Sequence, residues 1–143
     1  MRKLDKDFIN AAEQGNLERV KACLHAGANV HVDNECPLRW AALEGHLEIV
    51  KLLIEHGADI HSDDNCALVW AAFNGYLEVV KLLIKHGAVV QAGDNRALRW
   101  TVEKEHYEVV KLLLLHGADF EAICMENRTT ELIAFNELLS LGK

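Results

Sequence analysis

The 143-residue sequence holds a single proline, Pro37, and only 6% of it is aromatic. Proline breaks helix interiors, so its scarcity leaves long stretches free to form helix. There is no excess of positive charge: the formal net charge is −7 at pH 7. A general affinity for phosphate backbones needs a basic surface, so nucleic acid is not an expected partner. No apolar run approaches the length of a membrane span, and the opening Met1-Arg2-Lys3-Leu4-Asp5-Lys6 lacks the apolar stretch of a signal peptide. Neither membrane insertion nor secretion is expected. The four cysteines lack metal-type spacing and read as free thiols in a reducing compartment, with the cytoplasm as the expected location. A phosphate-cradling glycine loop, a nucleophile elbow and an HExxH zinc motif are also missing. Catalysis has little to stand on, and no cofactor or metal is implied.

What the chain does have is repetition. Gly27, Gly57, Gly87 and Gly117 keep a 30-residue register, as do Lys21, Lys51, Lys81 and Lys111, Val20, Val50, Val80 and Val110, and the tryptophans Trp40, Trp70 and Trp100. Self-similarity at such a period marks stacked repeats, which present extended binding surfaces. Four units span roughly 5–30, 33–60, 63–90 and 94–120 of a single domain, with a C-terminal cap from about 121 to 143. In residues 33–62, Leu38, Ala41 and Ala42 share one helix face, and Gly45 ends that helix. Leu47, Val50, Leu53 and Ile54 define a second helix, closed by Gly57. Asp63-Asp64-Asn65 then forms a turn cluster. Each unit is helix, turn, helix, loop, and only stacking buries its apolar faces. In the cap, Leu132, Ile133, Phe135, Leu138 and Leu139 predict one helix with Thr129 or Thr130 as N-cap, covering Leu115.

Pro37-Leu38-Arg39-Trp40-Ala41-Ala42, then Gly45-His46-Leu47-Glu48-Ile49-Val50-Lys51-Leu52-Leu53 and Gly57-Ala58-Asp59, resembles the ankyrin repeat. The resemblance covers about residues 5–120 and implies an all-α, curved solenoid whose inter-repeat loops project as fingers. It also implies a concave binding face made by finger tips and first helices. Two departures stand out. The family's period is about 33 residues, so a 30-residue unit predicts shortened fingers without a regular β-hairpin. The family's Thr-Pro-Leu-His start is missing: Cys36, Cys66 and Arg96 stand for its threonine, and Arg39, Val69 and Arg99 for its histidine. Asp64-Asn65 and Asp94-Asn95 are candidates to supply part of the lost hydrogen bonding. This short Asp-Asn-x-Ala-Leu-x-Trp variety is similar to the ankyrin arrays of giant DNA viruses of amoebae, which would place the chain in a host cytoplasm.

The tryptophan ladder is the leading site. At about 100° per residue, Trp40, Leu43 and Glu44 point away from Leu38, Ala41 and Ala42, as do Trp70, Phe73 and Asn74, and then Trp100, Glu103 and Lys104. Exposed contiguous aromatics serve binding, and tryptophan is enriched among hot spots; packing of each indole on the neighbouring repeat is the competing reading. Asn34, Glu35, Asp64, Asn65, Asp94, Asn95 and Arg96 vary at the finger tips over a constant scaffold, as recognition loops do. Solvated turn chemistry explains the same residues. His56, His86 and His116 stack about 10 Å apart, too far to share a zinc, and suit the C-terminal carbonyls of the second helices. Cys23 reads as core, and Cys124 lies in the irregular C-terminal segment.

These readings converge on a non-catalytic, monomeric module that binds a protein partner. The tryptophans would be anchors, Leu43 and Phe73 flanking contacts, and the finger residues the rim. Two alternatives stand beside it. One is a stoichiometric inhibitor of an intracellular enzyme; the other is a purely structural or self-associating module.

Overall fold

The computed structural model describes residues 1–142, and among them every regular element is helical. Four helix pairs follow one another: α1 (Lys3–Gln14) with α2 (Leu17–His25), α3 (Val32–Glu44) with α4 (Leu47–Glu55), α5 (Ser62–Phe73) with α6 (Leu77–Lys85), and α7 (Ala92–Glu103) with α8 (Tyr107–Leu115). Two 3₁₀ turns, Phe120–Ala122 and Met125–Asn127, lead to α9 (Thr130–Leu141). First helices stack on first helices and second on second, giving an α-solenoid two layers thick. Its core is one continuous column: Leu38, Leu68 and Leu98 in one layer, Val50, Val80 and Val110 in the other, all essentially inaccessible. The paired alanines Ala41-Ala42 and Ala71-Ala72 are fully buried between neighbouring helices, where a larger side chain would hold the stack apart. In the fourth unit Thr101 and Val102 fill the same place. Thr101 satisfies its buried hydroxyl by donating to the Ala97 carbonyl at 2.5 Å.

The fingers contain no strand, as their length predicts. Each is instead a left-handed turn: Asp33, Asn34 and Glu35, then Asp63, Asp64 and Asn65, then Gly93, Asp94 and Asn95 have φ between 50 and 62°. The left-handed region costs an ordinary L-residue about 1–2 kcal/mol, and Asn, Asp and Gly tolerate it best. Only Glu35 departs from that set. Pro37 then sits in the first right-handed turn of α3, where its missing N–H costs nothing.

The cap helix begins as its sequence predicts, with Thr129 Oγ1 accepting from the Leu132 N–H at 3.2 Å. It covers less than expected. Leu132 is buried and Phe135 and Leu139 are half-buried, but Leu115 remains 59% exposed, while Leu114 beside it is buried.

Candidate functional site

Finger residues come first, because three of them are not where a recognition rim would need them. Glu35, Asn65 and Asn95 are buried, whereas Asn34, Asp64 and Asp94 are exposed. The buried three occupy one column with Asp5, and in every unit but the second this column ties the unit to its own exit loop. Asp5 Oδ1 accepts from the Asn29 N–H at 3.1 Å, Asn65 Oδ1 from the Val89 N–H at 2.9 Å, and Asn95 Oδ1 from the Asp119 N–H at 2.8 Å. Asn65 and Asn95, candidates for part of the hydrogen bonding missing with the family's threonine and histidine, thus do bond across to a loop. His61 adds to this bonding, its Nδ1 lying 3.2 Å from Asn65 Oδ1. Asp5 is also held by Arg2, whose guanidinium, together with the Asn29 N–H, keeps its carboxyl below the usual carboxylate range.

Glu35 breaks the pattern. One methylene longer than Asn, it makes no bond to its exit loop; it pairs with His31 Nδ1, and its Oε2 is buried without a partner. An unsatisfied buried acceptor costs about 1–3 kcal/mol, and glutamate is a poor occupant of the left-handed region. Glu35→Asn is therefore expected to stabilise the protein by about 1–2 kcal/mol, read as a higher urea midpoint at unchanged m.

The two arginines at the family's histidine position serve the turns as well. Arg39 Nη2 donates to the Asp33 carbonyl at 3.1 Å, and Arg99 Nε to the Asp94 carbonyl at 3.0 Å. Val69, at the same place in the third unit, has no such donor.

On the outward side of the first helices the tryptophans are half-buried, between the two readings the sequence allows. Trp70 meets Phe73 edge-on at 5.7 Å and Trp100 at 5.8 Å, while Phe73 meets Trp100 at 6.0 Å. Contacts of this kind contribute about 0.5–1.5 kcal/mol beyond area burial. The ladder is thus a three-ring cluster across α5 and α7, and Trp40 belongs to no ring pair among the described residues. Arg96 lies over Trp100 at 5.7 Å and Lys104 over Phe73 at 5.0 Å. Leu43 is half-buried beside this face, and Glu44, Glu103 and Lys104 are exposed. Asn74 is a structural tie, its Nδ2 donating to the Leu43 carbonyl at 3.0 Å across the repeat boundary.

No group of three or more His, Cys, Asp or Glu side chains among the described residues is placed to hold a metal ion. His56 uses its Nδ1 to donate to the Leu52 carbonyl at 2.9 Å, the helix-end role its register suggested. All four cysteines are free: Cys23 and Cys36 are buried, Cys66 is half-buried and Cys124 is exposed. Burial, the largest influence, pushes the Cys36 and Cys66 thiols up, and Asp63 adds to the effect at Cys66. Native alkylation at neutral pH should therefore modify Cys124 alone, the other three reacting only after denaturation; intact-mass analysis would count the adducts.

No helix is long and apolar enough to cross a membrane among the described residues. The family described as ankyrin repeats (3 copies) matches residues 8–94 and again 61–124. No curated protein matches the chain. Helix pairs in register, glycine-ended helices and a match across most of the sequence agree: the chain belongs to the ankyrin repeat family.

Proposed function

We propose that this chain is a non-catalytic recognition module whose partner protein docks on the Trp70–Phe73–Trp100 cluster. Ankyrin repeats are generally protein–protein interaction modules. The observation that carries the docking face is the ring cluster itself, half-buried on the outward side of α5 and α7. Trp40, Leu43, Glu44, Glu103 and Lys104 extend this face, while Asn34 and Arg96 form its finger-side edge. Glu35, Asn65 and Asn95 are left out because they are buried. Four free thiols favour a reducing compartment such as the cytoplasm. Acrylamide quenching offers the test: with the face open, the three indoles quench strongly in the native protein and a bound partner protects them. Weak native quenching would remove the tryptophans as anchors.

One observation favours a second reading, self-association through the cap. Leu115, Leu138 and Leu141 are 59, 67 and 82% exposed at the same end, beside an open groove of about 570 Å³ lined in part by Leu114, Phe120 and Leu139. Sedimentation equilibrium would reveal a concentration-dependent dimer if that end pairs, and a monomer at all concentrations if it does not.

A further inference from the structure

Six cations find carboxylates: Lys21 with Glu18, Lys81 with Glu78, Lys111 with Glu108 and Glu131, Arg2 with Asp5, Arg19 with Asp7, and Arg128 with Glu121. The other eight described cations, Arg39, Arg96 and Lys104 among them, find none, although acids outnumber bases in the sequence, 22 to 15. Two of these are set apart by their place over the aromatic cluster, Arg96 above Trp100 and Lys104 above Phe73. Arg39 is the neighbour on the other side. Both Arg39 and Arg96 lie close enough to Cys66, at the start of α5, to draw its thiol down against the larger effect of burial. Arg39 also carries a buried Nε–H with no acceptor.

We propose that this face selects a short acidic segment of its partner, with one apolar side chain seated on the Trp70, Phe73 and Trp100 rings and carboxylates meeting Arg39, Arg96 and Lys104. The inference rests on the docking face proposed above and adds the chemistry of what docks there. Unpaired cations on an aromatic surface are a complementary field for carboxylates, and such complementarity sets specificity. Around them lies an acidic margin, with exposed Asp63, Asp64 and Asp94 on the finger side and Glu44 and Glu103 at the helix ends. That margin would repel a continuous phosphate backbone extending beyond the cations, whereas a short acidic motif ends before reaching it.

Selection of random dodecapeptides displayed on phage against the full-length chain tests this directly. The expected winners carry Asp or Glu flanking a central Leu, Phe or Trp. Their binding to R96E/K104E should weaken about 10-fold or more, while R96K/K104R retains it. Thermal melts of each variant separate lost binding from lost folding. Winners that depend on the tryptophans, tested with W70A/W100A, but are neutral or basic would overturn the acidic-segment inference and leave the docking face standing. Winners indifferent to W70A/W100A would remove both. A single-stranded uridine dodecamer that quenches the tryptophans at about 0.15 M salt would overturn the inference in favour of nucleic acid.

Discussion

Asn65→Ala is expected to cost about 3 kcal/mol, a large effect for one small side chain at a finger. Two losses combine. The Val89 N–H, 2.9 Å from Asn65 Oδ1, is left without its acceptor in a half-buried place, worth about 1–3 kcal/mol. Alanine must also hold φ near 61°, where it lacks the asparagine side chain's local polar compensation. Asn65→Gly separates the two, since glycine removes the backbone strain but restores no acceptor; it should recover about 1 kcal/mol of the alanine loss. The effect should reach beyond the site. Asn65 anchors the finger of the third unit to its exit loop, and in a stacked array each unit is stable mainly through its neighbours. Loosening that unit should shallow the urea transition, seen as a smaller m for Asn65→Ala. An unchanged midpoint would mean that the finger contributes nothing to the stack.

The same residue shows what the sequence could and could not disclose. Helix positions, glycine ends and the layer of paired alanines follow from periodicity, because 30-residue recurrence repeats every burial decision. The absence of a hairpin follows from finger length. Burial of Glu35, Asn65 and Asn95 was hidden because Asp and Asn suit a solvated turn as well as a left-handed buried one. A signal was nevertheless present: Asp5, Glu35, Asn65 and Asn95 form a column polar in every unit, while the residues just before them vary more freely. A column constant in polarity within a repeat points to one recurring internal bond. The aromatic cluster was legible as a face but not as a cluster. The wheel sets Trp40, Trp70 and Trp100 equivalent, yet only Phe73 bridges two of them, whereas Leu43 stands at its place beside Trp40. The exposed Leu115 lay beyond reach, since the path of α9 depends on packing outside the repeat register.

Gly45→Ala should destabilise by about 3 kcal/mol, and comparison with Gly57→Ala identifies why. Both glycines end helices at positive φ, 76° and 87°, so alanine meets comparable backbone strain at either, about 1–2 kcal/mol. Their surroundings differ. A Cβ on Gly57 meets nothing within 4 Å, whereas one on Gly45 falls 2.6 Å from Tyr76 Cε1 and 2.8 Å from Cζ. The ring of the next unit takes the space that a Cβ would need. Gly15 receives His46 and Gly75 receives His106 in the same way. The excess of Gly45→Ala over Gly57→Ala thus measures the ring's displacement, and a cycle with Tyr76→Ala should return a coupling of about 1–2 kcal/mol. Equal losses at the two glycines would show that Tyr76 swings aside freely. The fourth unit supplies its own control. Glu105 ends α7 at φ 60°, a non-glycine in the same conformation, and the residue in register with Tyr76 and His106 is Asn136, on the cap helix rather than in a fifth unit. Positive φ alone therefore does not demand glycine in this array; a ring arriving from the next repeat does. Glu105→Gly should accordingly relieve only strain, raising stability by about 1 kcal/mol and leaving the packing of neighbouring units unchanged.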